Sequence, residues 1–123
     1  MRNLNCLITG ASSGIGASIA QELSKSVKHI YILSRNTSKL EEINDKIISN
    51  GCECTIVPID LCEPNVIENL SEEIFKKDRF LDIIVSSAGQ ITKLSPVESI
   101  DLNEFNETIK LNYVSNFRIM KHF

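Results

Sequence analysis

The chain has 123 residues, of which 42% are hydrophobic and 24% are charged, a composition typical of one globular domain. A formal net charge of −3, with no long run of like charge, argues against nucleic acid or an anionic membrane surface as a partner. No apolar run is long enough to span a bilayer or to form the core of a signal peptide, so the sequence predicts a cytoplasmic location.

Short β-type runs alternate with amphipathic helical stretches from one end of the chain to the other. Strands are predicted at residues 4–9, 28–34, 53–59 and 81–86. Helices are predicted at 15–26, at 36–50, from Pro64 onwards, and from a cap at Asp101 towards Phe123. Strand–helix alternation is typical of a parallel sheet with right-handed crossovers, so we expect an α/β fold.

Apolar residues at helical spacing indicate which face of each helix is buried. The predicted inward-facing residues are Ile15, Ile19 and Leu23 in the first helix, Leu40, Ile43, Ile47 and Ile48 in the second, and Val66, Leu70 and Ile74 in the third. In the last helix, Asp101 followed by Glu104 predicts a capping box, in which each side chain binds the other residue's backbone N–H.

The four cysteines do not have the spacing of a metal site. Cys6, Cys52, Cys54 and Cys62 form no C-x-x-C pair, and both histidines lie far from them in the sequence. We therefore expect reduced, structural thiols and no metal.

The most informative segment is residues 7–16, Leu-Ile-Thr-Gly-Ala-Ser-Ser-Gly-Ile-Gly, between the first strand and the first helix. Glycines at such a junction allow a tight turn, a close approach of pyrophosphate to the backbone, and close packing of helix on strand. The N–H groups at the helix start then face the phosphates. This pattern predicts a dinucleotide-binding loop.

The same string resembles the cofactor loop of the short-chain dehydrogenase/reductase family. The resemblance implies a doubly wound parallel sheet of the Rossmann type. It also implies that Gly10, Gly14 and Gly16 line the cofactor, with Ser12, Ser13 and Ile15 beside it.

The resemblance extends to the ends of the third and fourth strands. Asp60-Leu61 is similar to the family's Asp–hydrophobic pair, whose carboxylate accepts a hydrogen bond from the adenine amino group. The segment from Ser86 through Ser87 and Ala88 to Gly89 resembles the family's N-N-A-G segment, which backs the cofactor. Serines replace both asparagines, so backbone contacts from Ala88 and Gly89 are expected, with shorter side chains at the other two positions.

The last helix carries the one residue that resembles part of the family's catalytic group. Asn112 lies at a spacing from Gly89 similar to that of the family's helix asparagine, and Phe105 and Phe117 also fit the pattern. The resemblance implies that the backbone carbonyl of Asn112 holds a water and extends a proton relay.

Ser34-Arg35 follows the second strand, where an acidic residue would accept hydrogen bonds from the ribose 2′-hydroxyl of NAD. A carboxylate would repel a 2′-phosphate, whereas a guanidinium can pair with it through two hydrogen bonds. The sequence therefore favours NADP(H) over NAD(H).

The family's catalytic Y-x-x-x-K motif is absent. Arg35 lies four residues after Tyr31, and Phe117 lies four residues after Tyr113. The family's chains are about twice this length, so we expect residues 1–123 to be an incomplete Rossmann domain, truncated after about four strands and four helices, without the catalytic half. The sequence leaves open whether this is a truncated chain, a split or degraded gene product, or a short relative of the family.

Two functions are consistent with these features. The first is an NADP(H)-dependent oxidoreductase that moves a hydride between cofactor and a carbonyl or alcohol, with this chain as an inactive cofactor-binding half. Its substrate would bind only in the full-length protein, and its partners would be another copy or a complementing C-terminal fragment. The alternative is a non-catalytic dinucleotide-binding fragment or remnant of a degraded or split gene.

Overall fold

The computed structural model describes residues 3–123 and contains a four-stranded parallel sheet. Its strands are β1 (Asn5–Thr9), β2 (His29–Ser34), β3 (Glu53–Pro58) and β4 (Ile83–Ser86). Its α-helices are α1 (Gly14–Leu23), α2 (Thr37–Ser49), α3 (Val66–Lys77), α4 (Leu102–Ile109) and α5 (Ser115–His122). A π-helical turn at Lys110–Val114 joins α4 to α5, and Val97–Ser99 forms a 3-10 turn in the loop before α4.

The strand order is β3-β2-β1-β4, so the chain reverses direction across the sheet after β3. Thr9, the last residue of β1, pairs with Leu33 on one side and with Ser86 on the other. This arrangement confirms the predicted α/β fold of the Rossmann type. In such sheets the crevice for a ligand lies beyond the carboxyl ends of the strands, at the point where the order reverses.

Apolar layers cover both faces of the sheet. One layer packs Ile8 and Ile32 beneath helices α1 and α2, and the other packs Leu7 and Leu33 beneath α3 and α5. Strand β2 is buried along nearly its whole length because it is central and covered on both faces. This burial agrees with the continuous run of Ile30, Tyr31, Ile32 and Leu33, because such runs are typical of strands buried on both faces.

The predicted inward face of α1 is wrong at Ile15, whereas Ile19 and Leu23 pack against the buried cluster as predicted. Ile15 is 74% exposed, and the buried residues are Gly16, Ala17 and Ala20. The glycine-rich turn brings the start of α1 so close to the sheet that only small residues fit beneath it, which turns Ile15 outward.

The other helices agree better with their predicted faces. Leu40, Ile43 and Ile47 of α2 are buried, whereas Ile48 is 53% exposed. In α3 the fully buried residue is Ile67, which the sequence analysis did not select. The predicted Val66, Leu70 and Ile74 flank it in the same cluster.

The Asp101 half of the predicted capping box forms at the start of α4. The carboxylate of Asp101 accepts hydrogen bonds from the backbone N–H groups of Asn103 and Glu104, at 2.9 and 3.1 Å. These bonds satisfy two of the unpaired donors at the helix start, as the predicted N-cap requires.

Large apolar side chains are exposed near β4 and along the last helices. Ile84 of β4 is 38% exposed, and exposed aromatic side chains of the helical segment include Phe105, Tyr113 and Phe117. Within residues 3–123, no helix is both long and apolar enough to cross a membrane.

Candidate functional site

A cleft of about 550 Å³ opens at the carboxyl ends of the strands, a volume typical of small-molecule sites. Every predicted cofactor-binding residue except Gly16 lines it: Gly10, Ser12, Ser13, Gly14, Ile15, Ser34, Arg35, Asp60, Leu61, Ser87, Ala88 and Gly89. Additional lining residues that the sequence analysis did not select are Leu33, Ile59, Cys62, Gln90, Glu107 and Leu111.

The three glycines of the turn have different structural roles. Gly10 has φ +64°, and a Cβ there would lie 2.7 Å from the backbone nitrogen of Ala88. A Cβ at Gly16 would lie 2.3 Å from the carbonyl oxygen of Gly10, so helix and turn are in close contact. Gly14 lines the cleft, has φ +54° and has no atom within 4 Å of an added Cβ.

The start of α1 presents unpaired backbone donors to the cleft. Ser13 is the N-cap, but its side chain makes no capping hydrogen bond. The first turn contains no acidic residue. The positive end of the helix dipole is therefore available to an anion in the cleft.

Thr9 joins the ends of β1 and β4 and was not identified as a site residue from the sequence. Its buried hydroxyl oxygen accepts hydrogen bonds from the backbone N–H groups of Ser87 and Ala88, both at 3.1 Å. The threonine before Gly10 was visible in the motif, but its partners lie 78 and 79 residues away. This contact holds the wall formed by residues 87–89.

At the end of β2, two hydroxyls form a polar edge of the cleft. Ser34 Oγ donates to Ser12 Oγ at 2.8 Å and accepts from the backbone N–H of Asn36 at 3.2 Å. The side chain of Asn36 in turn caps α2 by accepting from the N–H of Lys39 at 3.0 Å. Arg35 is exposed at the rim, and no ion pair involves it in the described part of the chain.

Beyond β3, the segment at residues 60–64 forms another wall, which we call the wall loop. Asp60 Oδ1 accepts from the backbone N–H of Cys62 at 2.9 Å, and Leu61 is buried. Arg118 on α5 holds this loop from behind, because its guanidinium donates to the carbonyls of Leu61 and Glu63. Arg118 was not predicted as a site residue, because a lone basic residue on a helix does not indicate such a role in the sequence.

Asn112 lies in the π-helical turn and binds the segment that follows β4. Its Oδ1 accepts from the N–H of Gln90 at 2.9 Å, and its Nδ2 donates to the carbonyl of Gln90 at 2.6 Å. Its own backbone carbonyl accepts from Asn116 Nδ2 at 2.7 Å. Ser86, in place of the family's asparagine, donates its hydroxyl to Asn116 Oδ1.

Burial makes the cysteines poor nucleophiles. It raises the pKa of Cys6 and Cys54 to about 12 and that of Cys52 to about 11. The pKa of Cys62, which lines the cleft, is raised mainly by burial and then by Asp60. All four are free thiols, and residues 3–123 contain no group of three side chains suited to a metal ion.

Neither tyrosine lines the cleft. Tyr31 is buried in the sheet and donates its hydroxyl to Asp78, and this hydrogen bond and burial raise its pKa. Tyr113 is 73% exposed on the helical segment. The arrangement can hold an anionic ligand beside a polar edge of the cleft, but neither tyrosine is placed there to transfer a proton.

Known proteins are similar to this chain in sequence and in fold. A fatty acyl-CoA reductase of Acinetobacter baylyi is 35% identical over 115 residues, which cover 93% of this chain and 39% of that protein. An alcohol dehydrogenase from the archaeon Thermococcus sibiricus, solved with 5-hydroxy-NADP, is 27% identical with a TM-score of 0.90 over 99% of this chain and 52% of its own. An NAD+-bound xylitol dehydrogenase, 22% identical, has the same fold with a TM-score of 0.89 over 97% of this chain and 47% of its own.

The chain thus spans between about two fifths and about half of the length of these proteins. The family model for short chain dehydrogenases matches residues 5–123, which is nearly the whole chain. Together with the four-stranded parallel sheet and the glycine-rich turn, this match shows that the chain belongs to the short-chain dehydrogenase family.

Proposed function

We propose that this chain binds NADP(H) and supplies the cofactor-binding half of an oxidoreductase that transfers a hydride between the nicotinamide and a carbonyl or alcohol. The observation that carries the proposal is Gly14, which lines the cleft at the positive end of α1 and has no atom within 4 Å of an added Cβ. A pyrophosphate needs close access to backbone N–H groups, and a side chain at this position would block it.

The remaining walls fit the other parts of a dinucleotide. The Asp60 carboxylate is held by the N–H of Cys62 at the rim of the cleft, where it could accept a hydrogen bond from an adenine amino group. Ala88 and Gly89 line the opposite side, in a segment that Thr9 fixes. The cofactor-binding roles assigned from the sequence are retained in this proposal.

The preference for NADP(H) rests on the polar edge at the end of β2. The solved neighbours include proteins bound to an NADP derivative and to NAD+, so likeness of fold favours neither cofactor. Arg35 stands where an acid would select the ribose hydroxyls, and Ser34 and Ser12 add hydroxyl groups beside it. A guanidinium and two hydroxyls suit a 2′-phosphate.

The bound nicotinamide would supply the hydride, while the protein supplies binding, orientation and a proton. Asn112 fixes the backbone of Gln90 at the cleft, so we assign it a positioning role towards the catalytic centre. Its carbonyl accepts a hydrogen bond from Asn116 Nδ2, and the family resemblance implies that the same carbonyl would hold a water. No tyrosine–lysine pair with Y-x-x-x-K spacing is present in this sequence, so we propose that the chain has no turnover alone.

Fluorescence titration of the 123-residue chain with NADPH and with NADH tests this proposal. We expect saturable binding of both, with NADPH tighter. The assay then follows NADPH oxidation with fatty aldehydes, acyl-CoA thioesters and simple ketones, because a related protein is named a fatty acyl-CoA reductase. No saturable binding by a folded chain, or tighter binding of NADH, would contradict the corresponding part of the proposal.

A second candidate is a non-catalytic dinucleotide-binding module, favoured by the position of both tyrosines outside the cleft. The two candidates differ in the effect of a complementing C-terminal polypeptide that carries a catalytic serine and the Y-x-x-x-K motif. Addition of such a polypeptide should create NADPH-dependent reduction if this chain is half of an enzyme. If the two polypeptides form a complex that still shows no NADPH-dependent reduction, the result would favour the binding module.

A further inference from the structure

Arg118 on α5 makes four hydrogen bonds to two other segments of the chain. Its Nε donates to Glu68 Oε1 at 3.0 Å, and its Nη2 donates to Glu68 Oε2 at 2.7 Å, a bidentate pair. Its Nη1 also donates to the carbonyl of Leu61 at 3.0 Å, and its Nη2 to the carbonyl of Glu63 at 3.1 Å. One planar guanidinium therefore joins α5, α3 and the wall loop.

Three of the four contacts are partly shielded from water, and the one to Glu63 is exposed. The side chain of Arg118 is 18% exposed, and that of Glu68 is 29% exposed. The guanidinium lowers the pKa of Glu68 to about 2, so the ion pair persists across the neutral pH range. Paired and partly buried charges hold their geometry better than exposed ion pairs do.

Leu61 packs in the buried cluster, and the other hydrogen bonds of the wall loop are local, including one from the N–H of Glu63 to the carbonyl of Asp60 at 3.2 Å. The loop leaves the sheet after β3, and an internal hydrogen bond joins Asp60 Oδ1 to the N–H of Cys62. Its backbone carbonyls at Leu61 and Glu63 are the atoms that Arg118 binds. Asp60, Leu61 and Cys62 line the cleft, so the position of the loop sets the shape of that side of the site.

We infer that Arg118 is a positioning residue for the adenine-side wall of the cleft, acting through the carbonyls of Leu61 and Glu63. This inference rests on the proposed cofactor-binding function, because it assigns the wall loop to the adenine ring. Arg118 does not line the cleft, so we expect it to act without contacting a bound ligand. Because α5 continues from the turn that carries Asn112, the same residue links the adenine side of the cleft to the segment that contacts Gln90.

The test uses two variants and a matched control. Arg118→Met removes all four hydrogen bonds and keeps an apolar stem, whereas Arg118→Lys keeps the charge without the planar fork. Lys121→Met removes an exposed cation from the same helix and serves as the control. The ligand probe is 2′,5′-ADP, which contains the adenine side of the cofactor only, and hydrogen exchange of residues 60–64 reports the loop directly.

We expect Arg118→Met to weaken 2′,5′-ADP binding about tenfold, which equals about 1.4 kcal/mol. That is close to the low end of the range for hydrogen bonds to a charged group. Exchange of the wall-loop amides should accelerate while amides of the central strand β2 exchange as in the wild type. Arg118→Lys should show the same selective loss, since one ammonium cannot bind two carbonyls and both carboxylate oxygens, and Lys121→Met should match the wild type.

Uniformly faster exchange in β2 and in the wall loop of both Arg118 variants would show a general loss of stability and overturn the inference. Unchanged 2′,5′-ADP affinity in Arg118→Met, with normal binding by the wild type, would also overturn it. By contrast, no binding of 2′,5′-ADP to the wild-type chain would contradict the proposed function itself. Should Arg118→Met fail to fold, Arg118→Lys carries the same two measurements.

Discussion

Replacement of Gly14 by alanine separates the demands of the fold from those of the cofactor. Gly14 has φ +54°, so any side chain there adopts the left-handed region and strains the backbone by about 1–2 kcal/mol. An added Cβ meets no atom within 4 Å, so no steric term is added in the free protein. For a chain of this length, such strain lowers the melting temperature by roughly 4–8 °C.

The same methyl group would lie where we place the pyrophosphate. Overpacking a close contact is unfavourable by about 1–3 kcal/mol, so NADPH affinity should fall by a factor between about 5 and about 150. Gly51→Ala is the matched control, because Gly51 also has positive φ, +83°, but ends α2 and does not line the cleft. It should lose comparable stability and no affinity.

The assay pairs thermal melting by circular dichroism with fluorescence titration of NADPH for the wild type and both variants. Gly10→Ala provides a contrasting case, because its Cβ would lie 2.7–2.8 Å from backbone atoms of residues 87 and 88 and should disrupt the fold. If Gly14→Ala and Gly51→Ala were to lose affinity equally, the reasoning about Gly14 would be refuted.

Two further predictions concern cofactor choice and pH. Arg35→Ala should weaken NADPH binding by about 1.5–3 kcal/mol, the range for a hydrogen bond to a charged group, and leave NADH binding unchanged, with Lys39→Ala as the control in the same titrations. Burial, followed by the charge of Lys77, lowers the pKa of His29. The native state therefore binds a proton at His29 less readily than the unfolded state does. The free energy of unfolding should therefore be constant above about pH 6.5 and fall as the pH drops from there towards the lowered pKa. Urea titrations from pH 8 to 5 should show this loss for the wild type and a flatter profile for His29→Gln, and an identical slope in both would refute the role of His29.

The parts of the fold that were predictable depend on local rules. The glycine-rich turn, the apolar run of β2 and the cap at Asp101 are each determined by residues adjacent in the chain, and the structure agrees with them. The exposure of Ile15 at the start of α1 was not predictable in this way. Helical spacing favours a stripe through Ile15, but the close approach of Gly16 to the carbonyl of Gly10 leaves room only for small side chains.

Contacts between distant segments account for most of what the sequence did not reveal in the site. Thr9 reaches Ser87 and Ala88 across 78 and 79 residues, and Arg118 reaches Leu61 across 57. The π-helical turn around Asn112 is another such feature, since single π-turns arise from tertiary demands and are frequent at functional sites. No periodicity in the sequence indicates which of these side chains meet.

The central claim is that the cleft at the carboxyl ends of the strands holds NADP(H), and nuclear magnetic resonance tests it most directly. A 15N-labelled chain is titrated with NADPH, and the shifted backbone amides are mapped. We expect saturable shifts clustered at residues 10–16, 34–36, 60–62 and 87–90, with the amide of Arg35 moving less when NADH replaces NADPH. Saturable shifts centred elsewhere, or a well-folded spectrum that NADPH leaves unchanged, would contradict this claim.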